Sequence, residues 1–330
     1  MHLASQTLGH APLGASTTAA GLYGGFPGGT IASFIAAFED VPLFHLVLSA
    51  CDWSLSPVPG ARSPRPVLVY RLGPRSRVVG GVALFGRINR ALVQRTAGLR
   101  EHARREARLV GGGGGGAGSS GDPACYGPAF TYTEFMPTGN AVAASVLSLA
   151  MGFMFATLTF IAPVRVLYCA THTELSLALF FIGPVGVQAF DDPARLWAGR
   201  QVRTATPPSH LTAREELTCE PRFARTLERG RMNYVNVTVS DEPSPRYAKT
   251  VIRGRGDPGT LLTAIMVAES ALTLLLDELP PLAAGGGVLT PMTALGDGLV
   301  RRLRANERFE IQTGLVAGPD DDVEESRKTI

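Results

Sequence analysis

Residues 232–279, MNYVNVTVSDEPSPRYAKTVIRGRGDPGTLLTAIMVAESALTLLLDEL, decide the fold. The first nine alternate: Tyr234, Asn236 and Thr238 fall on one side of an extended chain, Val235, Val237 and Val239 on the other. Period two marks a strand, because successive side chains point to opposite faces. Asp241–Pro245 supplies turn residues and Arg246–Arg253 a second strand, so 232–253 predicts a β-hairpin. Gly254, Gly256, Asp257, Pro258 and Gly259 make the next turn. Thr260–Leu279, apolar at Leu262, Ile265, Met266, Ala268, Leu272 and Leu275, predicts a helix. Paired strands followed by a helix predict an α/β (α+β) domain.

Toward the C-terminus, Gly285–Pro291 reads as a glycine loop with a short strand, Thr293–Asn306 as the last helix, and 307–313 as a further strand. The tail, acidic from Asp320, reads as disordered. Toward the N-terminus, Ala129–Phe135 alternates like a half-buried strand. Val67–Tyr70 is strand-like within a Pro, Ser and Arg-rich loop over 54–77. Val78–Leu109 reads as one helix, apolar first and then basic through Arg95, Arg100, Arg104, Arg105 and Arg108. Gly111–Gly121 reads as a flexible insertion: it has almost no side chains to bury, and no Lys-Ser or Lys-Thr follows to make a phosphate loop. Gly24–Thr30 is a glycine loop before a helical pattern at Ile31, Phe34, Ile35 and Phe38, with Thr30 as N-cap. Such a junction presents free N–H groups to an anionic or polar ligand, although a simple glycine turn packed on a sheet fits the same residues.

Residues 141–164, AVAASVLSLAMGFMFATLTFIAPV, carry no charge. A helix of that length can cross a hydrocarbon core of about 30 Å. A transmembrane or monotopic membrane helix is therefore expected, with a fully buried core helix as the soluble alternative. The run Leu175–Phe190, broken at Gly183-Pro184, fits a re-entrant, interfacial or core segment, or the second arm of a hairpin entering one leaflet. Arg165 marks the cytosolic side. The composition agrees: 45% hydrophobic and 18% charged, against about 25% charged in ordinary soluble domains.

Net charge is only +3, which argues against nucleic acid as a partner. Cys51, Cys125, Cys169 and Cys219 form no CxxC pair, so neither a zinc site nor a disulfide framework is expected. His2, His10, His45, His102, His172 and His210 show no metal-ligand spacing, and no metal site is expected. His172 and Glu174, two apart, would not face each other on a helix. No residues assemble into a recognisable catalytic motif. The candidate ligand-facing positions are Gly28, Gly29 and Thr30 in the first glycine loop, and Thr290 and Pro291 at a strand end.

Three blocks carry a resemblance. TVIRGRGDPG at 250–259, the AESAL helix at 268–272, GGVLTP at 286–291 and ALGDGLVRRL at 294–303 resemble the C-terminus of the saccharopine dehydrogenase-like oxidoreductases. Gly24–Thr30 with its helix, and YGPAFTYTEFMPTG at 126–139, resemble the same family in the same order. That family is also similar to the trans-acting enoyl reductases of glycolipid synthesis. The resemblance implies an N-terminal Rossmann domain, here missing, followed by a mixed-sheet substrate domain. No GxGxxG follows a strand in this sequence, so the NAD(P) that the resemblance implies lacks its binding domain in this chain. The expected organisation is a disordered 1–20; a first part of the substrate domain at 21–140 with a Gly-rich insertion at 110–122; a hydrophobic, membrane-associated segment at 141–191; a linker at 192–230; a C-terminal α/β part at 231–314; and a disordered acidic tail at 315–330.

The resulting expectation is a truncated or partial oxidoreductase. It would reduce a lipid-like substrate with NAD(P) at a membrane or lipid-droplet surface, on the cytosolic face, with a homodimer as an expected partner. The alternative is a non-catalytic membrane or lipid-droplet protein that keeps only the substrate-domain fold.

Overall fold

The structure, a computed structural model, describes residues 1–24, 51–110, 126–160 and 227–319. Its strands are β1 (Leu13–Tyr23), β2 (Tyr70–Arg71), β3 (Val79–Val82), β4 (Tyr126–Thr138), β5 (Arg231–Ser240), β6 (Tyr247–Arg255) and β7 (Phe309–Val316). Its helices are α1 (His2–Thr7), α2 (Gly86–Val110), α3 (Ala141–Phe160), α4 (Leu261–Leu276), α5 (Pro281–Ala284) and α6 (Pro291–Ala305). The strands form one mixed sheet in the order β2-β3-β4-β1-β5-β6-β7. Only β1 and β4 pair in parallel among the described strands. The mixed α/β architecture and the β5–β6 hairpin are as the alternation predicts.

Register sets the two faces. Ser16 lies opposite Tyr132 and Thr238, and Thr18 opposite Glu134 and Asn236. These side chains therefore share one face, here called inner. Helices cover it at two places. Near one end Ala4 of α1, Leu8 at its C-cap and Ala97 of α2 pack on Leu13, Phe130, Tyr132 and Ala248. Near the other, Leu262 of α4 packs with Met232 and Phe309, joined by Ile265, Met266 and Leu303. On the opposite face Phe135 lies among Ala19, Leu72, Val78, Val235 and Val237.

Several expectations are corrected. Residues 1–20, expected to be disordered, form α1 and most of β1, and β1 lies in the middle of the sheet. Its residues are small (GASTTAAG at 14–21), so it lacks the bulky apolar alternation that announces a strand. Being paired on both edges compensates for what it lacks in side-chain area. The helix expected from Val78 begins only at Gly86, because Val79–Val82 pairs with β4. The short strand expected after Gly285 is a loop: Gly286 and Gly287 have φ of 66° and 103°, which an extended strand cannot use. The last strand reaches Val316, two residues into the segment expected to be tail.

The transmembrane expectation is also corrected. Among the described residues no helix is long and apolar enough to cross a membrane. The charge-free α3 instead lays one side on the domain, burying Ala144, Leu147, Met151 and Met154. Gly81 makes the approach close: a Cβ there would stand 2.6 Å from the Ala144 carbonyl oxygen. Ser148 Oγ accepts the Val82 N–H at 3.0 Å and donates to the Leu68 carbonyl at 2.7 Å, satisfying strand and loop together. The opposite side of α3 stays apolar and exposed at Val142, Val146, Leu149 and Phe153. The glycine run, the second apolar run, most of the 192–230 linker and the tail from 320 lie outside the described residues.

Candidate functional site

Between the two helix-covered ends, the inner face of the sheet is polar. Asn236 on β5 donates from Nδ2 to Ser16 Oγ and Thr18 Oγ1, both at 2.9 Å, and accepts from Thr238 Oγ1 at 2.8 Å. Thr238 and Ser16 hydroxyls are 2.8 Å apart. All four side chains are buried. Burying this many polar groups in a core is costly unless each is paired, and here the strand register pairs them.

The seam continues into a carboxyl–phenol cluster. Glu134 of β4 accepts from Asn89 Nδ2 of α2 at 2.9 and 3.0 Å, and from the Tyr132 hydroxyl at 2.8 Å. Burial pushes the Glu134 carboxyl pKa up, against those donors, which pull it down. Tyr132 is shifted well up, by burial first and then by the nearby Glu134 charge. Tyr234 on β5 is shifted up for the same two reasons in the same order. Both phenols therefore remain protonated donors at neutral pH. Tyr132 donates to Glu134, whereas the half-buried Tyr234 makes no side-chain hydrogen bond among the described residues. The cluster thus holds a carboxyl whose affinity for a proton is raised by burial, beside two protonated phenols. Such a set can bind a carbonyl oxygen or hold a proton beside it.

A second pair, buried His2 with exposed Asp297, ties α1 to α6. His2 Nε2 lies 2.6 Å from Asp297 Oδ1, and Gln6 Nε2 donates to the same oxygen at 3.1 Å. Burial lowers the His2 pKa, opposed by the Asp297 hydrogen bond and charge.

Of the sequence-nominated positions, the two within the described residues, Thr290 and Pro291, lie apart from this cluster. Gly28, Gly29 and Thr30 lie outside the described residues. Thr290 is a buried helix cap: its N–H donates to Thr293 Oγ1 at 2.9 Å, and its hydroxyl lies 2.8 Å from Thr96 Oγ1 of α2. Pro291 is the exposed first residue of α6. Thr290 and Thr293 thus form a capping box, and the Thr290 hydroxyl, beside Thr96, fastens α6 to α2. Three helix N-termini that could cradle a phosphate are closed by the chain's own side chains: α6 by its capping box, α4 by Asp257 Oδ1 on the Thr260 N–H at 2.8 Å, and α3 by Asn140 Oδ1 on the Ala143 N–H at 2.8 Å.

The raised Glu134 pKa has a measurable consequence. The folded state holds a proton that the unfolded chain, with its carboxyl near 4.5, releases. This contribution to stability is complete below the unfolded pKa and is lost as pH rises through the folded one. In Glu134→Gln it is absent. Wild-type stability minus variant stability, from urea unfolding at successive pH values, should therefore fall from acid toward neutral pH and then level off. A constant difference would mean that Glu134 titrates as an ordinary carboxyl.

Comparison with known proteins gives a distant relationship. No family model matches the chain, and no solved structure matches it. Two curated proteins, assigned by name as trans-acting enoyl reductases in two strains of Mycobacterium tuberculosis, are each 28% identical over 293 residues, covering 86% of this chain. The chain spans 55% of the length of each, about half of the relatives it matches.

Proposed function

We propose that this chain is the substrate-side part of an oxidoreductase of the saccharopine dehydrogenase-like type, serving NAD(P)-linked reduction of a lipid-like substrate at a membrane or lipid-droplet surface. The observation that carries the proposal is the carboxyl–phenol cluster of Glu134, Tyr132 and Tyr234 on the inner face of the sheet. The distant similarity to proteins named as enoyl reductases supports the reaction class. NAD(P) supplies the hydride in such chemistry. The dinucleotide is assigned to a nucleotide-binding fold outside the described residues, on the same or a separate chain. The residues of this domain bind the substrate, orient it, and hold a proton beside it.

Two exposed apolar stripes support the lipid side of the reading. One is Val142, Val146, Leu149 and Phe153 on α3, and the other is Val267, Leu274 and Leu275 on α4. Their spacing puts each set along one helix side, which distinguishes them from the scattered apolar residues of any surface.

The test is to isolate the protein from its native host and assay oxidation of NADH and NADPH with long-chain 2-alkenoyl thioesters carried in phosphatidylcholine vesicles. Substrate-dependent oxidation, with the protein floating on the vesicles, is the expected result. Flotation without oxidation, and without dinucleotide binding, would favour a non-catalytic lipid-surface protein. Oxidation without flotation would remove the membrane from the proposal.

A further inference from the structure

We infer that the outer side of α3 and the arginine-bearing chain beside it form one docking surface for an anionic phospholipid bilayer. The apolar half is read from α3. Val142, Val146, Leu149 and Phe153 recur at i, i+4, i+7 and i+11, and their exposure runs from 42% at Val146 to 74% at Val142. Ala141, Gly152 and Ala156, also exposed, add no polar group to that side. Ser145, half-buried, turns its hydroxyl back onto the Ala141 carbonyl at 3.0 Å. A helix side in water ordinarily carries charged or polar residues, and this one has none. Val67 and Leu68, both exposed, widen the patch, because the Leu68 carbonyl accepts from Ser148 Oγ of α3 at 2.7 Å.

The charged half surrounds it. From Trp53 to Arg100 the sequence holds nine arginines and neither Asp nor Glu. Arg62, Arg65, Arg71, Arg75 and Arg77 are all exposed. Arg65 stands three residues before Leu68, within about 10 Å of the point where the loop meets α3. Arg71, Arg75 and Arg77 lie along the β2–β3 hairpin. Val79 of that hairpin pairs with Thr138, and Asn140, two residues further on, caps α3. The hairpin turn therefore lies at the end of the sheet where α3 begins. An apolar helix side flanked by cations of one sign suits an anionic leaflet: aliphatic side chains enter the acyl boundary while guanidiniums meet phosphate and carboxylate headgroups. Nucleic acid would use the arginines and leave the apolar side in water. The apolar stripe of α4 lacks this complement, since Glu269 and Asp277 share Arg302 and exposed Glu278 follows. Charge thus turns α3, and not α4, toward the bilayer.

This inference rests on the lipid-surface part of the proposed function, and the experiment separates it from the reductase part. The full chain is floated with vesicles of phosphatidylcholine, alone or with about one-third phosphatidylserine, at low and high salt. Wild type is expected to bind the mixed vesicles at least about thirtyfold more tightly, with the excess lost at high salt. Arg62→Gln, Arg65→Gln and Arg77→Gln together should remove most of that preference and leave binding to phosphatidylcholine as it was. Leu149→Ser with Phe153→Ser should weaken binding to both kinds of vesicle, whereas Leu274→Ser with Leu275→Ser on α4 should weaken neither. Should the α3 variant fail to fold, the arginine variant, altered only on an exposed loop and turn, carries the test. Equal binding to both kinds of vesicle, a preference that survives loss of the three arginines, or dependence on α4 instead of α3 would each overturn the inference. Duplex DNA that binds wild type and the α3 variant equally and displaces the vesicles would give the arginines to nucleic acid. A preference for phosphatidylserine without oxidation of NADH or NADPH would remove the reductase reading and leave the docking surface standing. Oxidation with no such preference would do the reverse.

Discussion

Phe135→Ala should lower the unfolding free energy by about 3–5 kcal/mol, the range for deleting a buried aromatic ring and leaving its cavity. Phe135 is fully buried on β4, with Ala19 of β1 opposite on one side and Val82 of β3 on the other. Its ring lies parallel to Tyr70 at a centroid distance of 6.1 Å and packs in the cluster with Leu72, Val78, Val235 and Val237. The neighbours cannot collapse into the space. Ala19 is too small, and the sheet register fixes the backbone of β1, β3 and β4. The loss should therefore fall near the top of the range. Urea unfolding of wild type and variant, followed by tyrosine fluorescence and by far-ultraviolet circular dichroism, measures it. A cost below about 1 kcal/mol would mean that this face of the sheet has room to repack, contrary to its packing here.

The residues around Phe135 also show what a single sequence can and cannot reveal. The β5–β6 hairpin was legible because Tyr234 to Val239 alternate and Asp241–Pro245 turns, and both are local signals. The α4 helix was legible for the same reason, and the strand at 129–135 was recognised, though it proved to extend over Tyr126–Thr138. β1 was not legible. Its Ser, Thr, Ala and Gly side chains resemble a linker, and their fitness for a central strand appears only once β4 and β5 flank them.

The candidate site was hidden by a related ambiguity. The alternation put Tyr234, Asn236 and Thr238 on one side of β5, and a polar side ordinarily faces water. Here both sides are largely buried, and the polar side meets Ser16, Thr18 and Glu134, which lie more than 100 residues away in sequence. Strand register decides that meeting, and register is a property of pairing. One local signal was available: Tyr132 and Glu134 share a side of their strand, placing an acid beside a phenol on a segment otherwise patterned for burial. The glycine and proline loops give the louder local signal, because loop residues are so often functional. At one of them, Thr290, the hydroxyl sits in a helix cap beside Thr96.

Gly80→Ala should be among the most damaging small substitutions in the chain, costing roughly 3 kcal/mol or more through backbone overlap. Gly80 pairs with Pro137 across β3 and β4, and a Cβ on it would overlap the Met136 carbonyl oxygen and stand 2.7 Å from its carbonyl carbon. The obstacle is backbone in a paired strand, so no rotamer change relieves it. Phe135 Cδ2 blocks the remaining direction. The strand would have to withdraw, and β2 reaches the sheet only through β3. With β3 would go the Val82 N–H to Ser148 bond and the seat that Gly81 provides for α3. The expected signature is accordingly regional: lost amide protection at Val79–Val82 and along α3, with β5, β6 and β7 protected as before. Gly139→Ala is the matched control, since a Cβ there meets nothing within 4 Å, and it should change stability by less than about 0.5 kcal/mol. Equal effects of the two substitutions would mean that β3 is not held against β4 as closely as the pairing requires. Loss of protection throughout the sheet would instead mean that the β2–β3 edge and its helix are part of the cooperative core, so that α3 is as much a structural element of this domain as any of its strands.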